Sequence, residues 1–180
     1  MSVTDHVLPP FYILTGPPGA GKTTLLQSLC DDVATVPEAA RRVLAEERSS
    51  GGTATGEQDP EAFVARMAAL QIKDYKRASG PTLFDRGLPD LLAFCTYYRI
   101  ADDAVRKATE VYRYSPQVFF LPAWEEIYQQ DQERRLDFQG AKAFGALTRQ
   151  SYLEMGYNLI EVPNGPVQAR ADFVRARLGL

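Results

Sequence analysis

Gly16-Pro17-Pro18-Gly19-Ala20-Gly21-Lys22-Thr23 is the stretch from which the rest of the chain can be read. It fits G-x-x-x-x-G-K-[ST], a pattern with a physical mechanism behind each position. The glycines let successive backbone N–H groups turn inward onto one oxyanion. Lys22 can reach β- and γ-phosphates, and the Thr23 hydroxyl can ligate Mg²⁺. Phe11-Tyr12-Ile13-Leu14-Thr15 before it is an apolar run of strand length, and Leu25, Leu26 and Leu29 after it share one helical face. A strand, a glycine loop and a helix start together make an anion site, which a plain glycine turn does not. This is a nucleotide-phosphate site.

The whole chain suits one domain over 1–180, with a core of useful size. Hydrophobic residues make up 45% and charged residues 24%, which are ordinary globular values. The net charge of −3 offers no basic field for DNA or RNA. No apolar run approaches the ~20 residues of a membrane span, so a cytoplasmic protein without a membrane partner is expected. Cys30 and Cys95 lie far apart in apolar helical patterns, as reduced core thiols would. His6, in the N-terminal tail, is the only histidine, which argues against a histidine triad or zinc centre.

Further along the chain, the first helix is expected to run to about Cys30, and a second strand to end at Glu38. The small polar residues 49–59 suggest a mobile loop. Asp59 and Pro60 cap and open a long helix with Phe63 and Met67 on its core face. Thr82–Asp85 is the third strand and delivers Asp85-Arg86-Gly87 at its end. The following helix, with Leu91, Leu92, Phe94, Cys95, Tyr97 and Tyr98, is apolar almost all round and should be buried. Gln117–Leu121 and Asn158–Val162 are the fourth and fifth strands. Val167, Ala171, Val174 and Leu178 form the inner face of a closing helix. Strands alternating with helices imply an α/β fold with a parallel sheet, whose ligands bind beyond the carboxyl ends of the strands.

That edge collects the chemistry of phosphoryl transfer. Asp85 can hold Mg²⁺ with Thr23 and Arg86 can face the phosphates, or the two can form a structural ion pair or the start of a helix. Glu38 is a carboxylate that could take the proton of an acceptor hydroxyl, or simply cap the next helix. Arg134 and Arg135 sit in a polar insert, 125–139, that could close as a lid or remain a solvated mixed-charge face. The turn Pro163-Asn164-Gly165 is placed to touch the purine through its backbone.

These residues resemble those of the P-loop kinases of nucleosides and nucleotides. The chain is more closely similar to a small single-domain "predicted ATPase" family, of AAA-domain type, related to nicotinamide riboside kinases. The likeness is carried by Gly16–Thr24, Pro37-Glu38-Ala39-Ala40-Arg41, Phe84-Asp85-Arg86-Gly87, Glu133-Arg134-Arg135, Glu161-Val162-Pro163 and Val167–Phe173. The resemblance implies a three-layer P-loop fold with five parallel strands in the order 2-3-1-4-5. It also implies ATP and Mg²⁺ as cofactors, Gly16–Thr24 as the nucleotide contact and a small-molecule acceptor as the partner. Deoxynucleoside kinases carry Ser where this chain has Gly87, so the acceptor class does not transfer. A motor-type ATPase would need an Asp-Glu strand end and a separate helical lid domain. A regulatory GTPase would need Asn/Thr-Lys-x-Asp, which does not occur. A kinase remains the first expectation, with a slow ATPase or nucleotide-dependent binding module as the alternative.

Overall fold

The computed structural model describes residues 9–129 and 136–180. Its five strands are β1 (Phe11–Thr15), β2 (Ala34–Val36), β3 (Thr82–Asp85), β4 (Gln117–Phe120) and β5 (Asn158–Glu161). They form one parallel sheet in the order β2-β3-β1-β4-β5, as the resemblance implied. The register sets Leu14 opposite Asp85 and Thr15 opposite Phe120, so β3, β1 and β4 all end beside the phosphate loop.

Alternation along the strands splits the core into two. Phe11, Ile13, Phe84 and Val118 face one side, under α2 (Ala39–Ser50), α3 (Pro60–Arg77), α4 (Leu88–Tyr98), α5 (Asp103–Val111) and α6 (Phe138–Glu154). Leu14, Leu83 and Phe119 face the other, under α1 (Lys22–Gln27) and α7 (Val167–Leu178). Burial on both faces explains why the central strands are apolar throughout. Asp59 caps α3 by accepting from the Ala62 amide at 2.9 Å, with Pro60 in the first turn.

Several expectations need correction. β2 stops at Val36, because Glu38 is already the N-cap residue of α2, although its side chain makes no capping bond. α1 stops at Gln27, followed by a turn that sends Leu29 inward and Cys30 outward, so only Cys95 is a core thiol. Ser49 and Ser50 belong to α2, and the loop after them is anchored rather than fully solvated. Ala54 is buried there, and its amide donates to the buried carboxylate of Glu47 at 2.8 Å. Val167 is exposed, whereas Arg170 on the same helix is buried. Among the described residues, no helix is long and apolar enough to cross a membrane.

Candidate active site

The phosphate loop leaves β1 at Thr15 and enters α1 at Lys22. Gly16 has φ +138°, and a Cβ there would run into the Leu121 carbonyl, so the loop passes directly against the chain leaving β4. Gly21, at φ +82°, takes the left-handed turn that starts α1. Thr23 and Thr24 are left exposed on the cavity side.

Lys22 is buried and folds back on its own loop, donating to the carbonyls of Gly16 at 3.1 Å and Pro17 at 2.8 Å. Burial, and then the neighbouring Arg86 cation, bring its pKa down to about 7. Asp85 shows the opposite misfit. It is buried, and its Oδ1 has no hydrogen-bond partner among the described residues. Burial, and then the Glu38 carboxylate, push its pKa up to about 6. For both groups burial outweighs the attraction between the Lys22 ammonium and the Asp85 carboxylate, which stand at the loop and at the end of β3.

Arg86 departs from expectation. Its backbone has φ +70°, and its side chain turns inward between two carboxylates. Nε donates to Glu38 Oε1 at 3.0 Å and Nη1 to Asp90 Oδ1 at 2.8 Å. A guanidinium clamped in this way holds carboxylates in place, and it also lines the cavity beside the phosphate loop. Glu38 is gripped on its other oxygen by Arg41 Nε at 3.3 Å. The Arg86 cation, assisted by Lys22 and Arg41, outweighs the cost of burial and holds the Glu38 carboxyl below its usual range. Asp90 is fully buried and also accepts from Thr15 Oγ1 at 2.6 Å, the Gly87 amide at 3.0 Å and the Tyr152 hydroxyl at 2.5 Å.

A cavity of about 1100 Å³ is lined by Lys22 and Thr23, by Glu38 and by a group of aromatic rings. The rings are those of Phe63, Phe94, Tyr97, Tyr98 and Phe144. Phe94 meets Phe144 with ring centroids 4.9 Å apart, and Tyr97 meets Tyr98 at 5.1 Å. The sequence reading placed the α4 rings in the core. The aromatic spacing 94, 97, 98 was the signal for a surface as well, since Tyr97 keeps 45% of its area exposed. Of the turn Pro163-Asn164-Gly165, Gly165 lines the cavity, and Pro166 and Val167 follow it there. The insert 125–139 is described at both ends. Tyr128 lies against Gly19, and its hydroxyl donates to the Leu136 carbonyl. Arg134 and Arg135 lie outside the described residues.

Among the described residues, no cluster of three or more His, Cys, Asp or Glu side chains forms a metal cage. Mg²⁺ commonly binds through one or two carboxylates and substrate phosphates, which fits a buried Asp85 whose Oδ1 has no hydrogen-bond partner among the described residues.

The sequence matches the family described as AAA domain over residues 11–170, and the chain belongs to that family. No curated protein matches it significantly by sequence. Its fold is similar to that of several solved kinases. Shikimate kinase from Acinetobacter baumannii, in complex with shikimate, superposes with a TM-score of 0.61 at 18% identity, covering 96% of this chain and 94% of that one. Deoxyadenosine kinase from M. mycoides gives 0.69 at 13%, covering 94% and 98%. The NadR protein in complex with NAD and AMP-PNP gives 0.71 at 16%, covering 96% of this chain and 50% of that one. At these identities the likeness establishes the P-loop kinase fold.

Proposed function

We propose that this member of the AAA-domain family is a cytoplasmic phosphotransferase that moves the γ-phosphoryl group of ATP to a hydroxyl or phosphate of a small molecule. The observation that carries the reading is a single cavity lined by the phosphate loop, by Glu38 and by five aromatic rings. A nucleotide-binding module or slow ATPase needs the loop but has no use for aromatic-lined space beside it.

In this reading the Gly16–Thr24 backbone cradles the phosphates, and Lys22 exchanges the carbonyls of Gly16 and Pro17 for phosphate oxygens. Gly165, with the neighbouring Pro163 and Asn164, borders the base. Thr23 and Asp85 would hold Mg²⁺, which would supply neutralisation of the phosphate charge. The acceptor oxygen attacks the γ-phosphorus, the bond to the β–γ bridging oxygen breaks, and ADP leaves. With a hydroxyl acceptor, Glu38 receives the proton, held in position by Arg86 and Arg41. Arg134 and Arg135, within the 125–139 insert, would close over the transferring group and exclude water.

The test is a phosphoryl-transfer screen with Mg·ATP against nucleosides, nucleotides and small alcohols, reading ADP release with and without each candidate. One acceptor should raise the rate at least tenfold. ADP release that is slow and the same with every compound would favour the ATPase reading.

A further inference from the structure

Arg170 has a buried charge with no counter-charge among the described residues. It stands on α7, is 4% exposed and lines the same cavity as Lys22. Of the five N–H donors of a guanidinium, one is engaged among the described residues, Nη2 to the Ala20 carbonyl at 2.9 Å. Nε is buried without a partner. Nη1 lies 2.8 Å from where a Cβ on Gly21 would stand, so the group is pressed against the phosphate loop. No carboxylate pairs with it among the described residues. The other buried arginine among the described residues, Arg86, sits between Glu38 and Asp90. Burial alone perturbs Arg170, and it lowers the pKa, as for a cation without an anion.

A buried guanidinium whose remaining partner is a single carbonyl is costly to a fold. The ring of Trp124 lies 5.6 Å from Arg170 Cζ, so an aromatic surface already attends the guanidinium. What it lacks is an in-plane acceptor for the donor fork, and phosphate oxygens match that geometry. We propose that Arg170 is the second cation of the nucleotide site, contacting the α- and β-phosphates from α7 while Lys22 serves the β- and γ-phosphates. This rests on the nucleotide reading above but not on which acceptor, if any, is phosphorylated.

The probes are Mg·ATP and inorganic tripolyphosphate, which has the charge and no base, titrated calorimetrically into wild type, Arg170→Met and Arg170→Lys. Arg170→Met should weaken both probes in the same proportion, by tenfold or more, and Arg170→Lys by less. Without ligand, Arg170→Met should melt no lower than wild type, because an unpaired buried charge is removed. The proposal is overturned if ATP weakens while tripolyphosphate does not, which would make Arg170 a base contact. It is equally overturned if both probes bind as before and the variant melts lower, which would make it a strut. Should Arg170→Met not fold, wild type still decides. Trp124 is the only tryptophan, and its fluorescence should change with tripolyphosphate alone; no change at calorimetric saturation overturns the proposal. Failure to find an acceptor leaves all these outcomes readable, whereas a wild type that binds neither probe defeats both readings.

Discussion

Arg86 and Asp90 lie one helical turn apart and pair inside the protein, Nη1 to Oδ1 at 2.8 Å, with side chains 4% and 0% exposed. The pair joins the end of β3 to the start of α4, and through Arg86 Nε it fixes the position of Glu38. Asp90→Ala should therefore cost about 3–5 kcal/mol, the range for breaking a buried pair. It also strands the hydroxyls of Thr15 and Tyr152. Tyr152→Phe removes only one donor to a charged acceptor and should cost about 1.5–3 kcal/mol. Denaturant midpoints measure both, and a Tyr152→Phe cost equal to that of Asp90→Ala would mean that Asp90 is not the hub.

Asp85 makes stability depend on pH. Its folded pKa, about 6, lies above the ordinary aspartate value of 3.8. The protonated form therefore stabilises the ligand-free fold at low pH, and this contribution is lost as pH rises from about 4 through about 6. Asp85→Asn should match wild type at the acid end of that window and melt higher above it. Mg·ATP affinity of wild type should fall as pH drops below about 6, because a metal-binding carboxylate must lose its proton. Melting curves across the window and titrations at its two ends check both statements.

Glu38→Gln separates base from metal ligand. ATP affinity should stay within about threefold of wild type, while the transfer rate to a hydroxyl acceptor falls by roughly 10²–10⁴, the usual worth of a positioned base. A drop in ATP affinity matching that of Asp85→Asn would show that the two carboxylates share one task.

The aromatic rings of the cavity should govern the acceptor and leave the nucleotide alone. Tyr97→Ala removes an exposed ring that meets both Tyr98 and Phe144. Acceptor KM should rise about tenfold, with KM for ATP unchanged. Steady-state kinetics with either substrate varied will read this, and equal changes in both constants would argue against a separate acceptor site.

Much of this architecture was legible because its signals are local. Gly16–Thr23, the apolar run before it and the spacing of Leu25, Leu26 and Leu29 lie within 19 residues, 11–29. Once β1 is fixed, Asp85 follows from the strand that ends beside it. The inward turn of Arg86 was half legible, since Asp90 stands four residues later at helical spacing. What that spacing lacked was the positive φ at Arg86, which sends the side chain between Glu38 and Asp90. Arg170 lies in the Val167–Phe173 stretch that carries the family likeness, yet nothing local gave it a role, since its partner carbonyl, Ala20, is 150 residues away. In sequence it is one arginine among several on α7. The rings of α4 misled because the same side chains pack on the core and line the cavity, and hydrophobic periodicity cannot separate the two.

The backward fold of Lys22 onto the Gly16 and Pro17 carbonyls also bears on traffic through the site. In the proposed reaction, nucleotide arrival would swap these two hydrogen bonds for new ones, so an incoming anion would compete with the protein's own backbone. Orthophosphate, with a single phosphate group, fits the extended loop less well than a polyphosphate and should be a poor competitor. Departure of the proposed ADP product would run the swap in reverse, the ammonium returning to carbonyls of its own loop, which should speed its release.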